Sequence, residues 1–297
     1  MSFTATVKNE VSKLEINEVE KIAELSAIFS NGAIVENDNI KITTENASVS
    51  RRIFSLIKDI YKIIPNIIVR RSLNFSKKYM YILHIKSKNI DILDKIPKDY
   101  IIDDDESIRA YLRGVFLMSG SINDPKTSRY HLEFLVNDEE YAFFLNDLLN
   151  KYNLNSKVLK RETKYMIYIK EAEKISDFLR IINAYNAVMY YEDIRIYRDH
   201  KNMTNRLNNC EQANVDKIIE TANKQIKDIE IINKVGLDLL DEKERIVALY
   251  RLKYKDVSLL ELSEIISIET GNKITKSGLY HRFKKISELA DKLKEKM

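Results

Sequence analysis

What this sequence lacks narrows its chemistry first. It contains one cysteine, Cys210, which excludes an internal disulfide framework and any multi-cysteine zinc site. Its six glycines include no clustered run, so a loop that cradles a nucleotide phosphate is excluded as well. No apolar stretch approaches the roughly 18 residues needed to cross a bilayer. The opening MSFTATVKNE lacks the charged-then-apolar layout of a signal peptide. A cytosolic location is therefore expected. The four histidines, His84, His131, His200 and His281, show no ligand spacing, and none pairs with Cys210 in sequence. A small core or junction thiol is the expected role of Cys210, ahead of a nucleophile.

What is present describes a folded protein. Over 297 residues, hydrophobic content is 44% and charged content 32%, enough for one or two domains with a proper core. The net charge of +4 permits a nucleic-acid partner without requiring one. The chain is organised around Tyr111–Ile122, YLRGVFLMSGSI, in which Leu112, Val115, Phe116 and Met118 are spaced for one apolar helix face ending at Gly120. Gly114 inside that helix costs roughly 1 kcal/mol against Ala, so a second helix packing very close is expected there. Upstream, AELSAIFSNGAI (Ala23–Ile34) repeats the pattern and ends at Gly32.

The elements after each glycine repeat too. Strand Asn39–Thr43, helix Asn46–Tyr61 and strands Ile67–Leu73 and Lys78–Ile85 follow Gly32. Strand Tyr130–Val136, helix Asp138–Tyr152 and strands Ser156–Glu162 and Lys164–Lys170 follow Gly120 in the same order. Arg70-Arg71 aligns with Lys160-Arg161, and the near-constant offset indicates one duplication rather than a solenoid. Pro97 and Asp103–Glu106 separate the halves; these acids are expected in the first turn of the next helix rather than around a metal. The segment EDIRIYR (Glu192–Arg198) reads as strand-like, His200–Asn214 as a polar junction, and Val215–Asn233 as a long helix ended by Gly236.

Beyond Gly236 only short helices are indicated, over Glu242–Tyr254, Ser258–Ser267 and Lys276–Lys294, the middle one opened by a Ser258/Glu261 capping box. From Lys273 to Lys285 there are five basic residues (Lys273, Lys276, Arg282, Lys284, Lys285) and no acid. Such a run on the last helix of a three-helix unit suits a recognition helix, whose first turns meet base edges while flanking cations grip phosphates. Thr275, Lys276, Ser277, Tyr280 and His281 are the candidates nearest the bases, with Ser258 and Gly278 beside them. Arg282, Lys284 and Lys285 are candidate phosphate contacts. Leu279, Phe283, Ile286 and Leu289 form the packing side. From these residues alone, a solvated basic face on a helical interaction module fits equally well.

The doubled helix-ending-in-glycine unit resembles the LAGLIDADG homing-endonuclease fold. The whole chain is similar to the WhiA family, carried by SFTATVKNEVSKLE, TENASVSRRIFSLIK, AYLRGVFLMSGSINDPKTSRYHLEF, NRLNNCEQAN and KSGLYHRFKKISELA in that order. The resemblance implies an α+β, LAGLIDADG-like duplicated domain over 1–200 (halves 1–97 and 98–200). A junction and linker helix over 201–235 would set the geometry between domains. An all-α helix-turn-helix domain over 236–297, resembling the promoter-reading domain of sigma factors, would complete the chain. Homing nucleases hold divalent metal with one carboxylate at each glycine-ended helix; the matching positions here are Asn31 and Ser119, neither able to ionise. Glu36, Asp38 and Asp124 lie past the glycines, where solvated loop carboxylates are expected. No metal or other cofactor is implied. Arg70, Arg71, Lys77, Lys78, Lys160, Arg161 and Lys164 match a second DNA surface on the strands, against the alternative of edge charges that deter aggregation.

The resemblance thus implies a bacterial, sequence-specific binder of double-stranded DNA, a transcription regulator acting in cell division and chromosome segregation, and in sporulation in some lineages. The transcription machinery or another regulator would be its protein partners, and a cytoplasmic, nucleoid-associated location follows. The rivals are an active metal-dependent DNA endonuclease and a protein-interaction scaffold.

Overall fold

The computed structural model describes residues 2–36, 39–71, 79–86, 90, 97–127 and 129–295. The chain divides into two units, Met1–Arg198 and Asp199–Met297.

In the first unit, helix α1 (Phe3–Val11) precedes two halves of the same plan. The first comprises α2 (Glu18–Gly32), β1 (Ala33–Glu36), β2 (Asn39–Thr44), α3 (Ala47–Tyr61), β3 (Asn66–Arg71) and β4 (Tyr79–Lys86). The second comprises α4 (Asp105–Ser119), β5 (Gly120–Ile122), β6 (Leu132–Val136), α5 (Glu139–Asn150), β7 (Lys157–Arg161), β8 (Lys164–Ile169) and α6 (Ala172–Ile181). Each half folds into a four-stranded antiparallel sheet, ordered β1-β2-β4-β3 and β5-β6-β8-β7. Identical strand order in both sheets is what a duplication produces.

Local chemistry sets the helix starts. Asn17 and Glu20 form a capping box on α2, and Asp104 with Ser107 forms one on α4. Asp104 is thus a cap and Asp105 pairs with Arg109 at 2.6 Å, so the acidic cluster serves the helix start. The glycines explain the close pairing of α2 and α4. A Cβ on Gly114 would lie 2.4 Å from the Glu24 carbonyl oxygen and 2.8 Å from Ala27 Cβ, and one on Gly32 would strike the Met118 methyl at 2.1 Å. Only bare glycine admits this approach. Ala23, Leu25, Ala27 and Ile28 meet Leu112, Val115 and Phe116 in one core, covered by the inner faces of both sheets.

One helix, α7 (Tyr185–Val235), runs for 51 residues and corrects two expectations. Glu192–Arg198 is helical, not strand, and 200–214 is helix, not an irregular junction. Ile194 and Ile196 suggested alternation, yet the less exposed positions are Tyr191, Ile194, Arg195 and Arg198, which is helical spacing. Glu192 and Arg195 pair three residues apart at 2.8 Å, and the Glu10 carboxylate caps the helix start by accepting from the N–H groups of Asn186 (2.7 Å) and Ala187 (3.0 Å).

In the second unit, α8 (Glu242–Lys253), α9 (Leu259–Thr270) and α10 (Lys276–Lys294) close around Val247, Ala248, Leu262, Ile266, Leu279, Phe283, Ile286 and Ala290, with Ile229 and Ile232 of α7 joining them. Leu289 is only partly buried and Ala290 completes the packed face. No helix among the described residues is long and apolar enough to cross a membrane.

Candidate nucleic-acid interface

The ends of α2 and α4 bring Asn31 and Ser119 together. Ser119 Oγ donates to Asn31 Oδ1 at 3.3 Å and to the Val115 carbonyl at 3.1 Å. Asn31 Nδ2 donates to the Ala27 carbonyl at 2.8 Å and to Tyr141 Oη at 2.7 Å; that phenol lies 3.0 Å from the phenol of Tyr111. Burial pushes Tyr111 up to about 12 and Tyr141 well above the usual phenol range, so both remain neutral. A hard divalent cation wants anionic oxygens; this donor set is an amide, a hydroxyl and two neutral phenols satisfying one another. It does not fit the metal that homing nucleases hold. Asp124 instead accepts from Lys126 N (2.9 Å) and Tyr190 Oη (3.3 Å), Glu36 is exposed, and Asp38 lies outside the described residues. Among the described residues no three His, Cys, Asp or Glu side chains gather as metal ligands.

Sequence reasoning missed the charges inside the α2–α4 interface. Glu24 and Arg113 are both fully buried and joined at 2.8 Å; Arg113 also reaches Glu20 at 3.2 Å, and Arg52 of α3 grips Glu24 at 2.8 and 3.1 Å. The available signal was a Glu and an Arg on helices otherwise apolar toward each other.

Strand register decides which strand cations share a face. Ile67 and Val69 pair with Leu83 and Tyr81 on the side that carries the core residue Leu83, and Arg71 belongs to that side. Arg70, opposite Met80, lies on the outer face. In the second sheet Arg161, opposite Lys164, is on the outer face. Lys160, opposite Tyr165, is on the inner one, with its Nζ 5.4 Å from the Tyr165 ring. Lys77 and Lys78 lie outside the described residues. The outer face of the second sheet also carries Leu135 and Leu159 flanking Met166, the two leucines 40% and 46% exposed.

In the second unit, Gly271 ends α9 with φ 70°, the left-handed turn that favours glycine, and Thr275 caps α10 by accepting from Gly278 N at 3.1 Å. Ser267 Oγ accepts from Ile274 N at 2.9 Å and pins the connection between the helices. With Leu279, Phe283, Ile286 and Ala290 turned inward, helical spacing carries Ser277, His281 and Lys284 to the opposite, exposed side. Lys273, Thr275 and Lys276 are exposed at the start of the helix, and Tyr280 is 58% exposed with its ring edge toward His281. Gly278 and Arg282 are half-buried. Lys285 is exposed but paired with Glu244 of α8 at 3.4 Å. Ser258 is committed to the cap of α9, accepting from Glu261 N at 3.2 Å.

Comparison with known proteins follows this layout. The WhiA N-terminal LAGLIDADG-like domain matches residues 18–97, the WhiA LAGLIDADG-like domain 108–201 and the WhiA C-terminal HTH domain 204–290. "Probable cell division protein WhiA" of Staphylococcus aureus (strain JH9) is 43% identical, covering 99% of this chain and 98% of its own. The crystal structure of full-length DUF199/WhiA from Thermatoga maritima is similar with a TM-score of 0.62 at 27% identity, covering 98% of this chain and 99% of that one. The N-terminal LAGLIDADG domain of DUF199/WhiA gives 0.52 at 25% identity, over 61% of this chain and 90% of that one. A duplicated, glycine-paired α+β domain followed by a helix-turn-helix unit, matched along its whole length by such relatives, belongs to the WhiA family.

Proposed function

We propose that this chain is a sequence-specific DNA-binding protein that regulates transcription in cell division and chromosome segregation, and in sporulation where that programme exists. The observation that carries this reading is the exposed, acid-free start of α10. Lys273, Thr275, Lys276, Ser277, His281 and Lys284 stand clear of the core that the same helix builds with its other side. In the major groove, Ser277 and His281 would meet base edges and Lys284 a phosphate. The nuclease chemistry of the ancestral fold is lost, because Asn31 and Ser119 satisfy each other instead of a cation. A cytoplasmic, nucleoid-associated protein in contact with the transcription machinery or another regulator is consistent with this role. For the outer sheet faces, the exposed Leu135 and Leu159 favour a protein partner over a phosphate backbone.

The test is selection of bound duplexes from a random pool by the full chain, followed by competition with excess unrelated DNA. A recovered motif whose binding survives the competitor supports the reading; adhesion that disappears with competitor and salt refutes it. Nicking of supercoiled DNA in Mg²⁺ or Mn²⁺ would restore the endonuclease alternative.

A further inference from the structure

Arg251 of α8 is 1% exposed, and its surroundings supply no anion. Nη1 donates to the Val257 carbonyl at 2.8 Å and the Tyr254 carbonyl at 3.3 Å, while the Phe283 ring lies 5.5 Å from the guanidinium carbon. Nε is buried without an acceptor, and no carboxylate among the described residues pairs with the group. A buried cation without a counter-charge is costly. Burial alone pushes Arg251 below its ordinary value, which agrees with the missing partner.

Arg251 lines a cleft of about 360 Å³ whose other walls include Lys217 and Thr221 of α7, Leu259 and Leu260 at the start of α9, and Lys276 at the start of α10. The capping box occupies Ser258 N and Glu261 N. The N–H groups of Leu259 and Leu260 therefore stand without protein acceptors at the positive end of a 12-residue helix. Lys217 and Lys276 are exposed at the rim. The one acid beside the cleft, Glu261, is held on Ser258 N at 2.7 Å.

We infer that this cleft binds a phosphoryl group. A guanidinium with a free donor, two helix-start N–H groups and two ammonium groups match a tetrahedral, multiply charged oxyanion better than a single carboxylate. The group has two sources: a backbone phosphate of bound DNA, which rests on the function proposed above, or a free phosphorylated small molecule, which does not.

The experiment uses the full chain, with inorganic phosphate as probe in thermal melts at constant ionic strength, and duplex DNA in salt titrations with and without phosphate. Lys217→Ala/Lys276→Ala changes exposed residues only, and Arg251→Lys keeps the charge but removes the fork. Wild-type protein is expected to show saturable stabilisation by phosphate, weakened roughly tenfold in either variant. If the source is DNA, phosphate competes with the duplex, and the double variant reduces the slope of log K against log salt by about 0.9 for each phosphate lost. If the source is a free phosphorylated ligand, phosphate and duplex bind together. Phosphate stabilisation in a protein that binds no DNA upholds the cleft and refutes the DNA reading. Absence of phosphate stabilisation, with an unchanged salt slope in both variants, overturns the cleft and leaves DNA binding standing.

Discussion

Ser119 and Asn31, one at the end of each central helix, share a hydrogen bond of 3.3 Å at the positions where homing nucleases carry carboxylates. An amide and a hydroxyl can sit this close because neither repels the other. Two carboxylates there would need a cation between them or a shared proton.

Asn31→Asp/Ser119→Asp is therefore expected to destabilise the chain at pH 7 by about 1–3 kcal/mol through lost donors and like-charge repulsion. Repulsion raises the folded-state carboxyl pKa, so the penalty should shrink as pH falls and should be partly offset by Mn²⁺. Thermal melts at pH 5 and 7, with and without Mn²⁺, check this. A variant as stable as wild type at pH 7, without metal, would show the two side chains to be further apart than they are here.

Two glycines should respond to alanine with opposite signs. At Gly114 the new methyl lies 2.4 Å from the Glu24 carbonyl oxygen, and overpacking of about 1–3 kcal/mol should exceed the gain in helix propensity. At Gly278 the nearest atom is Thr275 Oγ1 at 3.4 Å, so Gly278→Ala should stabilise by up to about 1 kcal/mol. Urea denaturation of both variants measures the contrast.

Glu24→Gln leaves the fully buried Arg113 with only Glu20 as a charged partner. A loss of about 3–5 kcal/mol is expected, read as a lower urea midpoint, because an uncompensated charge remains inside the interface.

Lys8 provides a pH test. Burial lowers it to about 8 from the usual 10.5, beside the Phe116 ring at 5.6 Å. As pH rises through 8 the folded chain releases this proton while the unfolded chain holds it until about 10.5, so this contribution to stability rises across that window and is flat below it. Lys8→Met should abolish the rise and should be more stable than wild type at pH 7 by on the order of 1 kcal/mol. Denaturation at pH 7 and pH 10 compares them.

On DNA, Lys284→Ala should weaken every duplex by a similar factor and reduce the salt slope by about 0.9. Ser277→Ala and His281→Ala should instead change which sequences are preferred, by about 1–3 kcal/mol per affected base pair. Anisotropy with a selected and a scrambled duplex separates the two behaviours.

The features set by short-range physics were legible in the sequence. Helix periodicity, the stops at Gly32 and Gly120, the Ser258/Glu261 capping box and the repeated order of strands all depend on residues within a few positions of one another. The close approach at Gly114 was legible too, since a glycine in a helix interior costs stability unless something needs the space. Reading failed at Glu192–Arg198, where two alternating isoleucines imitated a strand. The Glu10 carboxylate that caps the start of α7 comes from the far end of the unit, which no local pattern reveals.

Only tertiary structure could decide the rest, because each remaining feature joins residues distant in sequence. Strand register placed Arg70 and Arg161 on outer faces and Arg71 and Lys160 on inner ones. Helix packing matched Glu24 with Arg113 and Asn31 with Ser119, and it buried Arg251 beside the start of α9 without a counter-ion. The identity of a side chain states what it can donate, accept or carry. Whether it meets a partner, water or nothing is settled when the helices and sheets close around it.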